Sequence, residues 1–80
     1  MKIKLIEWVD SRGGRSGWEP VCESDIRVSQ CRTCGYVIEE TDEYISVAGH
    51  IELDAEGNIY AMWGEMCIPK AAITKLIRME

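Results

Sequence analysis

A short glycine-rich segment near the start of the chain carries the side chains best suited to binding an anion. Residues 10–18 read Asp-Ser-Arg-Gly-Gly-Arg-Ser-Gly-Trp, so Arg12, Arg15 and Trp18 lie close together in the sequence. Glycines allow backbone N–H groups to approach an anion, arginines donate paired hydrogen bonds to phosphate oxygens, and an indole stacks on a nucleobase. We therefore expect these three residues to bind a small anionic ligand of nucleotide type. The alternative is a solvated loop that Trp18 anchors to the core.

A pair of cysteines two residues apart, Cys31 and Cys34, resembles the metal-binding knuckle of rubredoxin and zinc ribbons. Tetrahedral zinc needs four ligands, and the remaining candidates, Cys22, Cys67 and His50, stand alone in the sequence. In a regular strand, the two-residue period places Cys31 and Cys34 on opposite faces. We therefore expect no metal and no cofactor, with the thiols acting as small buried hydrophobic groups. The alternative is one zinc site made from all four cysteines, which would staple the fold.

No other group of residues has the spacing of a catalytic site. The single histidine, His50, falls on the polar side of its segment, with no serine or cysteine at an informative distance. The acidic run at 39–43 sits in a turn, whereas a glycosidase needs two carboxylates that flank a cleft. We therefore predict that the protein is not an enzyme.

The elements that position these residues are strands, because apolar residues alternate with polar ones along most of the chain. This pattern predicts strands over 2–10, 26–38, 44–53 and 59–68, with candidate bends at Gly35 and Gly64. Polar turns are expected at 40–42 and 54–58. The aromatic and methionine side chains that we expect in the core are Trp8, Tyr36, Tyr60, Met62, Trp63, Met66 and Met79.

Two segments do not follow this alternation. Residues 11–24 hold three glycines and a proline without periodicity, which indicates a long loop after the first strand. After Pro69, the apolar residues fit either a helix that begins at the proline or a tight turn followed by a strand over 72–79. Local pattern alone slightly favours the helix.

Length and charge limit the function further. Eighty residues with a formal charge of −5 make one small domain, residues 1–80, that is poorly suited to binding duplex DNA. Residues 39–65 hold eight acidic residues and no lysine or arginine, which indicates a solvated face that keeps the protein soluble. The alternative is attraction between the acidic block of one copy and the basic ends of another. The start of the chain lacks the apolar run of a signal peptide, and no segment has the length and hydrophobicity of a membrane span. A cytoplasmic homo-oligomer is expected.

Residues 66–77, Met-Cys-Ile-Pro-Lys-Ala-Ala-Ile-Thr-Lys-Leu-Ile, resemble the end of Sm-like proteins, including the bacterial Sm-like RNA chaperone. There a strand ends in a 3₁₀ turn that contains a lysine, and an Ala-Ile pair opens the last strand. The resemblance implies a strand after Pro69 and a small, strongly bent, five-stranded all-β barrel, Sm-like or SH3-like. In the chaperone, the matching lysine faces the RNA-binding pore. Lys70 is therefore added to the expected ligand-binding residues.

A broader set of segments, 7–11, 17–18, 31–38, 43–45 and 66–73, resembles a group of small bacteriophage proteins that share a tryptophan in the first strand and an Ile-Pro near the end. This resemblance implies synthesis in the host cytoplasm. It also implies a non-enzymatic binding protein, with a homo-oligomeric anti-defence protein that sequesters a nucleotide-type ligand as the leading hypothesis. The alternative is either a zinc-stapled protein or an Sm-like module that binds RNA or a host protein.

Overall fold

The computed structural model describes residues 2–14, 16–23 and 26–79, which contain five β-strands and no α-helix. The strands are β1 (Ile3–Asp10), β2 (Ser29–Glu40), β3 (Tyr44–Leu53), β4 (Ile59–Pro69) and β5 (Ile73–Met79). Short 3₁₀ turns are formed by Val21–Glu23 and Lys70–Ala72. None of the described residues forms a helix long and apolar enough to cross a membrane. The predicted all-β fold, with a long connection after the first strand, is confirmed.

The strands form one antiparallel sheet in the order β4-β3-β2-β1-β5, which makes β4 and β5 its two edges. Among the described residues these edges are not paired with each other, so the sheet is open and does not close into a barrel. After Pro69, the chain makes one 3₁₀ turn and returns as β5 along β1. Of the two alternatives for the C-terminal segment, the strand is confirmed and the helix is wrong.

The hydrophobic core occupies one face of this sheet. Its fully buried members are Ile6, Ile45, Val47 and Ile68. Ala48 is also fully buried, but it follows Val47 in β3 and therefore lies on the other face of the sheet. Trp8, Val37 and Ile73 are partly buried and pack against this cluster. The indole N–H of Trp8 donates a hydrogen bond of 3.0 Å to the hydroxyl of Thr33, so its one polar atom is satisfied where it packs.

The two glycines marked as candidate bends have different roles. Gly35 lies where β2 crosses close to β3: a Cβ atom there would stand 2.8 Å from the carbonyl oxygen of Ala48 and 3.2 Å from Cβ of Val47. Gly64 adopts a φ of +71°, a conformation that other residues avoid, and it interrupts the regular course of β4.

Both predicted turns are present and are held by side-chain hydrogen bonds. The carboxylate of Asp54 accepts bonds of 2.9 Å from the backbone N–H groups of Glu56 and Asn58. These bonds lower the pKa of Asp54, the bond from Asn58 contributing most. At the other turn, the hydroxyl of Thr41 accepts the backbone N–H groups of Glu43 and Tyr44.

The outer part of the β3–β4 hairpin extends beyond the core. We call residues 49–65 the arm. Its large apolar side chains are exposed, with 69% of Tyr60 and 77% of Trp63 accessible to solvent. The molecule measures 58 × 23 × 20 Å, and its radius of gyration of 16.7 Å exceeds the ~12 Å expected for a compact chain of this length.

Candidate functional site

The glycine-rich segment lies in the connection between β1 and β2, as predicted. Arg12 is exposed, and Trp18 is fully exposed, so the indole does not anchor the loop to the core. Gly17 has a φ of +95°, which turns the chain just before this tryptophan. A Cβ atom on Gly14 would come within 2.9 Å of the side-chain end of Ile26, so the two ends of the connection approach each other. The third predicted residue, Arg15, lies outside the described residues.

Lys70 opens the 3₁₀ turn between the two edge strands. Its backbone N–H donates a 2.8 Å hydrogen bond to the carbonyl oxygen of Glu43, which ties this turn to the β2–β3 turn. Its ammonium group lies 2.7 Å from Oε2 of Glu40. Oε1 of the same carboxylate accepts a 2.9 Å bond from the ammonium group of Lys4. Two cations therefore share one anion, which leaves a positive charge on this cluster.

The geometry fixes the charge state of the cluster. The hydrogen bond from Lys70, followed by the one from Lys4, lowers the pKa of Glu40 from 4.5 to about 2. The carboxylate therefore stays ionised at any physiological pH and holds both ammonium groups in place. Only about a seventh of the Lys4 side chain and a third of the Lys70 side chain reach solvent. The cluster can add one favourable charge for an anion that approaches Lys70.

Lys4 and Glu40 were missed by sequence reasoning. Lys4 could have been recognised from the sequence. It is two residues from Ile6 and four from Trp8 along β1, so a lysine occupies a position on the core-facing side of the strand. Glu40 carries no such signal, because it belongs to an acidic run. The predicted ligand-binding residues thus lie on two separate elements: Arg12 and Trp18 are in the long connection, while Lys70 points at Glu40.

The cysteines lie in regular backbone. Cys31 and Cys34 belong to β2, opposite Trp8 and Leu5 of β1 in an unbroken register, so they occupy opposite faces and form no knuckle. Cys31 is half-buried, whereas Cys22, Cys34 and Cys67 are exposed. The expectation that the cysteines are buried hydrophobic groups is therefore wrong for three of the four. Within the described ranges, no three His, Cys, Asp or Glu residues are grouped as metal ligands would be.

The core expected from the aromatic and methionine residues is only partly correct. Trp8 packs against the core and Tyr36 is half-buried, but Tyr60, Met62, Trp63, Met66 and Met79 are exposed. A hollow of about 340 Å³ near the β4 edge is lined by Ile38, Met62 and Met66, together with the carboxylates of Glu39 and Glu65. Two carboxylates make this hollow unfavourable for an anion.

Tyr44 contacts one of the two carboxylates that line this hollow. Its hydroxyl donates a hydrogen bond to Oε1 of Glu39. This bond raises the pKa of Tyr44, because removing the proton would leave two negative charges in contact. The phenol therefore acts as a hydrogen-bond donor and is unsuited to serve as a general base.

No family model, curated protein or solved structure matches the chain.

Proposed function

We propose that the protein is a non-enzymatic binding module that assembles from several copies and holds a small anionic ligand of nucleotide type. The observation that carries the proposal is the open sheet. Within residues 2–14, 16–23 and 26–79, its two edge strands, β4 and β5, have no strand on their outer side, and they expose large apolar side chains, including Met66 and Leu76. Unpaired edges of this kind favour pairing with another chain.

Charge supports the pairing of copies. The segment 39–65 contributes acidic residues only, whereas β5 carries Lys75 and Arg78. A β4 edge of one copy and a β5 edge of the next would therefore attract each other. In this proposal, the sheet of each chain is strongly bent, in the manner of an Sm-like or SH3-like barrel. The binding sites form between neighbouring copies.

The ligand-binding part of the proposal is supported by the long connection and by the lysine cluster. Trp18 is fully exposed and can cover a nucleobase. Arg12 lies in the same connection, between the end of β1 and Trp18. The net positive charge at Lys4, Glu40 and Lys70 favours phosphate groups. A phage origin, action against host defence in the host cytoplasm and any RNA-binding role rest on the sequence resemblances alone.

Native mass spectrometry over a hundred-fold range of protein concentration tests the assembly. We expect masses of more than one chain that fall to one chain on dilution. A single-chain mass at the highest concentration would contradict the assembly. The same spectra show whether a ligand or a zinc ion is retained, and therefore also test the zinc-stapled alternative.

Thermal unfolding with ATP, cyclic AMP and cyclic di-GMP tests the ligand. At least one of them should raise the melting temperature, and the variant that combines Arg12→Ala with Trp18→Ala should lose the shift. Arg32→Ala is the matched control, because this exposed arginine lies on β2 beside Glu7, outside the loop. The proposed nucleotide site would be contradicted if none of the three nucleotides raised the melting temperature. It would also be contradicted if Arg32→Ala lost the increase to the same extent as the double variant.

A further inference from the structure

One face of the arm presents a tryptophan set among carboxylates. Trp63 of β4 lies opposite His50 of β3, so both side chains point to the same face of the hairpin. Glu52 is two residues from His50 on β3 and shares that face. Glu65 follows Trp63 across Gly64, and the two residues line a common hollow. The indole of Trp63 is 77% exposed, which leaves most of its surface available for a partner.

Hollows flank this indole on two sides. One, of about 280 Å³, is lined by His50, Glu52 and Trp63, among others. The other, of about 290 Å³, is lined by Trp63, Gly64 and Glu65. Each hollow thus combines an aromatic ring with one carboxylate. The Asp54 hydrogen bonds hold the end of the arm in shape before any partner arrives, which lowers the entropic cost of binding.

Electrostatics select a cation for this face. No lysine or arginine occurs between residue 33 and residue 69, and Lys70 is engaged by Glu40. A phosphate group would be repelled by Glu52 and Glu65. A guanidinium group can stack flat on an indole and also form two parallel hydrogen bonds with a carboxylate, which an ammonium group cannot do.

We propose that this face of the arm binds the arginine side chains of an extended basic segment from another protein. The chain's own Arg32 is a poor candidate for this face, because its guanidinium group already lies 3.4 Å from the carboxylate of Glu7. This partner surface shares no residue with the nucleotide site proposed above, whereas Glu65 also belongs to the β4 edge through which copies are proposed to associate.

A labelled peptide of alternating glycine and arginine, Gly-Arg-Gly-Arg-Gly-Arg-Gly, is the probe, followed by fluorescence anisotropy at pH 8 and 50 mM NaCl. Trp63→Ala should weaken binding about three- to five-fold, while Trp63→Phe should keep part of the affinity. Replacing Glu52 and Glu65 together by Gln should also weaken binding and reduce its dependence on salt. The same peptide with lysine in place of arginine should bind less tightly than the arginine peptide.

Two matched controls separate this face from general effects of charge and aromatic surface. Trp18→Ala removes a fully exposed tryptophan from the long connection, and replacing Asp42 and Glu43 by Asn and Gln removes two charges at the opposite end of β3. Both should leave peptide binding within about two-fold of the wild type. Far-ultraviolet circular dichroism should show that every variant remains folded.

Three results would overturn the proposal. The first is no binding of the arginine peptide to the wild-type protein at 50 mM NaCl. The second is an equal loss of affinity in Trp63→Ala and Trp18→Ala. The third is that a second copy of the chain occupies this face. In that case the protein would not bind the peptide, and Trp63→Ala would dissociate the copies. Nucleotide-induced thermal shifts should be the same in Trp63→Ala and in the wild type, so failure here is distinguishable from failure of the nucleotide site.

Discussion

Glu40 accepts hydrogen bonds from both Lys4 and Lys70. Its replacement should lower the free energy of unfolding at neutral pH and have little effect at acidic pH. Its pKa is about 2 in the folded protein and 4.5 without its partners. A carboxylate with a lowered folded-state pKa stabilises the fold above its unfolded-state pKa, and this stabilisation is lost as the pH falls towards the folded-state value. We therefore expect Glu40→Gln to lower the free energy of unfolding by about 1 kcal/mol at pH 7.

The difference between Glu40→Gln and the wild type should shrink between pH 5 and pH 2, because Glu40 becomes protonated in the wild type over this range. Thermal unfolding measured at several pH values checks this. Glu56→Gln, an exposed carboxylate in the turn of the arm, is the control and should behave like the wild type. An equal deficit for Glu40→Gln at pH 7 and at pH 2 would show that the ion pairs are not its cause.

Gly35 and Gly49 offer a comparison of two glycines in neighbouring strands. A Cβ atom on Gly35 would press against the backbone oxygen of Ala48 at 2.8 Å, whereas one on Gly49 would meet nothing within 4 Å. Gly35→Ala should therefore destabilise the protein by about 1–3 kcal/mol through overpacking. Gly49→Ala should be neutral or slightly stabilising, because alanine restricts the unfolded chain. Urea unfolding of both variants measures this difference. Equal urea midpoints for Gly35→Ala and Gly49→Ala would contradict the close approach of β2 and β3.

At the scale of elements, β4 has one fully buried residue, Ile68, and is exposed along most of its remaining length. Met62 of the arm, for example, is about half exposed. Ile68→Ala should cost about 2–5 kcal/mol, because it removes core packing and leaves a cavity. Met62→Ala should cost well under half as much, since little packing is lost there. Comparable losses of melting temperature in the two variants would show that the arm packs against something in the single chain.

The same contrast in burial explains how far the sequence predicted the fold. Alternation identified the strands to within a few residues, although β2 begins at Ser29 rather than at 26 and runs on to Glu40. Alternation shows which residues share a face, but it does not show whether another layer covers that face. Tyr60 and Met62 were therefore assigned to the core although nothing in the described chain covers them. The Lys4–Glu40 pair spans 36 residues and depends on topology that local pattern does not contain.

For the whole molecule, the most informative property is the separation of charge along an open sheet. The β4 edge belongs to the acidic part of the sequence, and the β5 edge carries basic residues. If copies associate by these edges, attraction across the junction should weaken as salt screens it. We expect the concentration at which assemblies dissociate to rise as NaCl is increased from 50 to 500 mM, as measured by sedimentation velocity.

Glu65 of β4 and Lys75 of β5 provide the pair with which to test that junction. Glu65→Gln and Lys75→Gln should each weaken association about two- to five-fold, the range of an exposed ion pair. If the two side chains meet across the junction, the double variant should be little weaker than either single one, because the interaction can be lost only once. Asp42→Asn, which removes a charge from the β2–β3 turn and from neither edge strand, should leave association unchanged. Strictly additive losses, or association that is indifferent to salt, would mean that the copies meet through another surface.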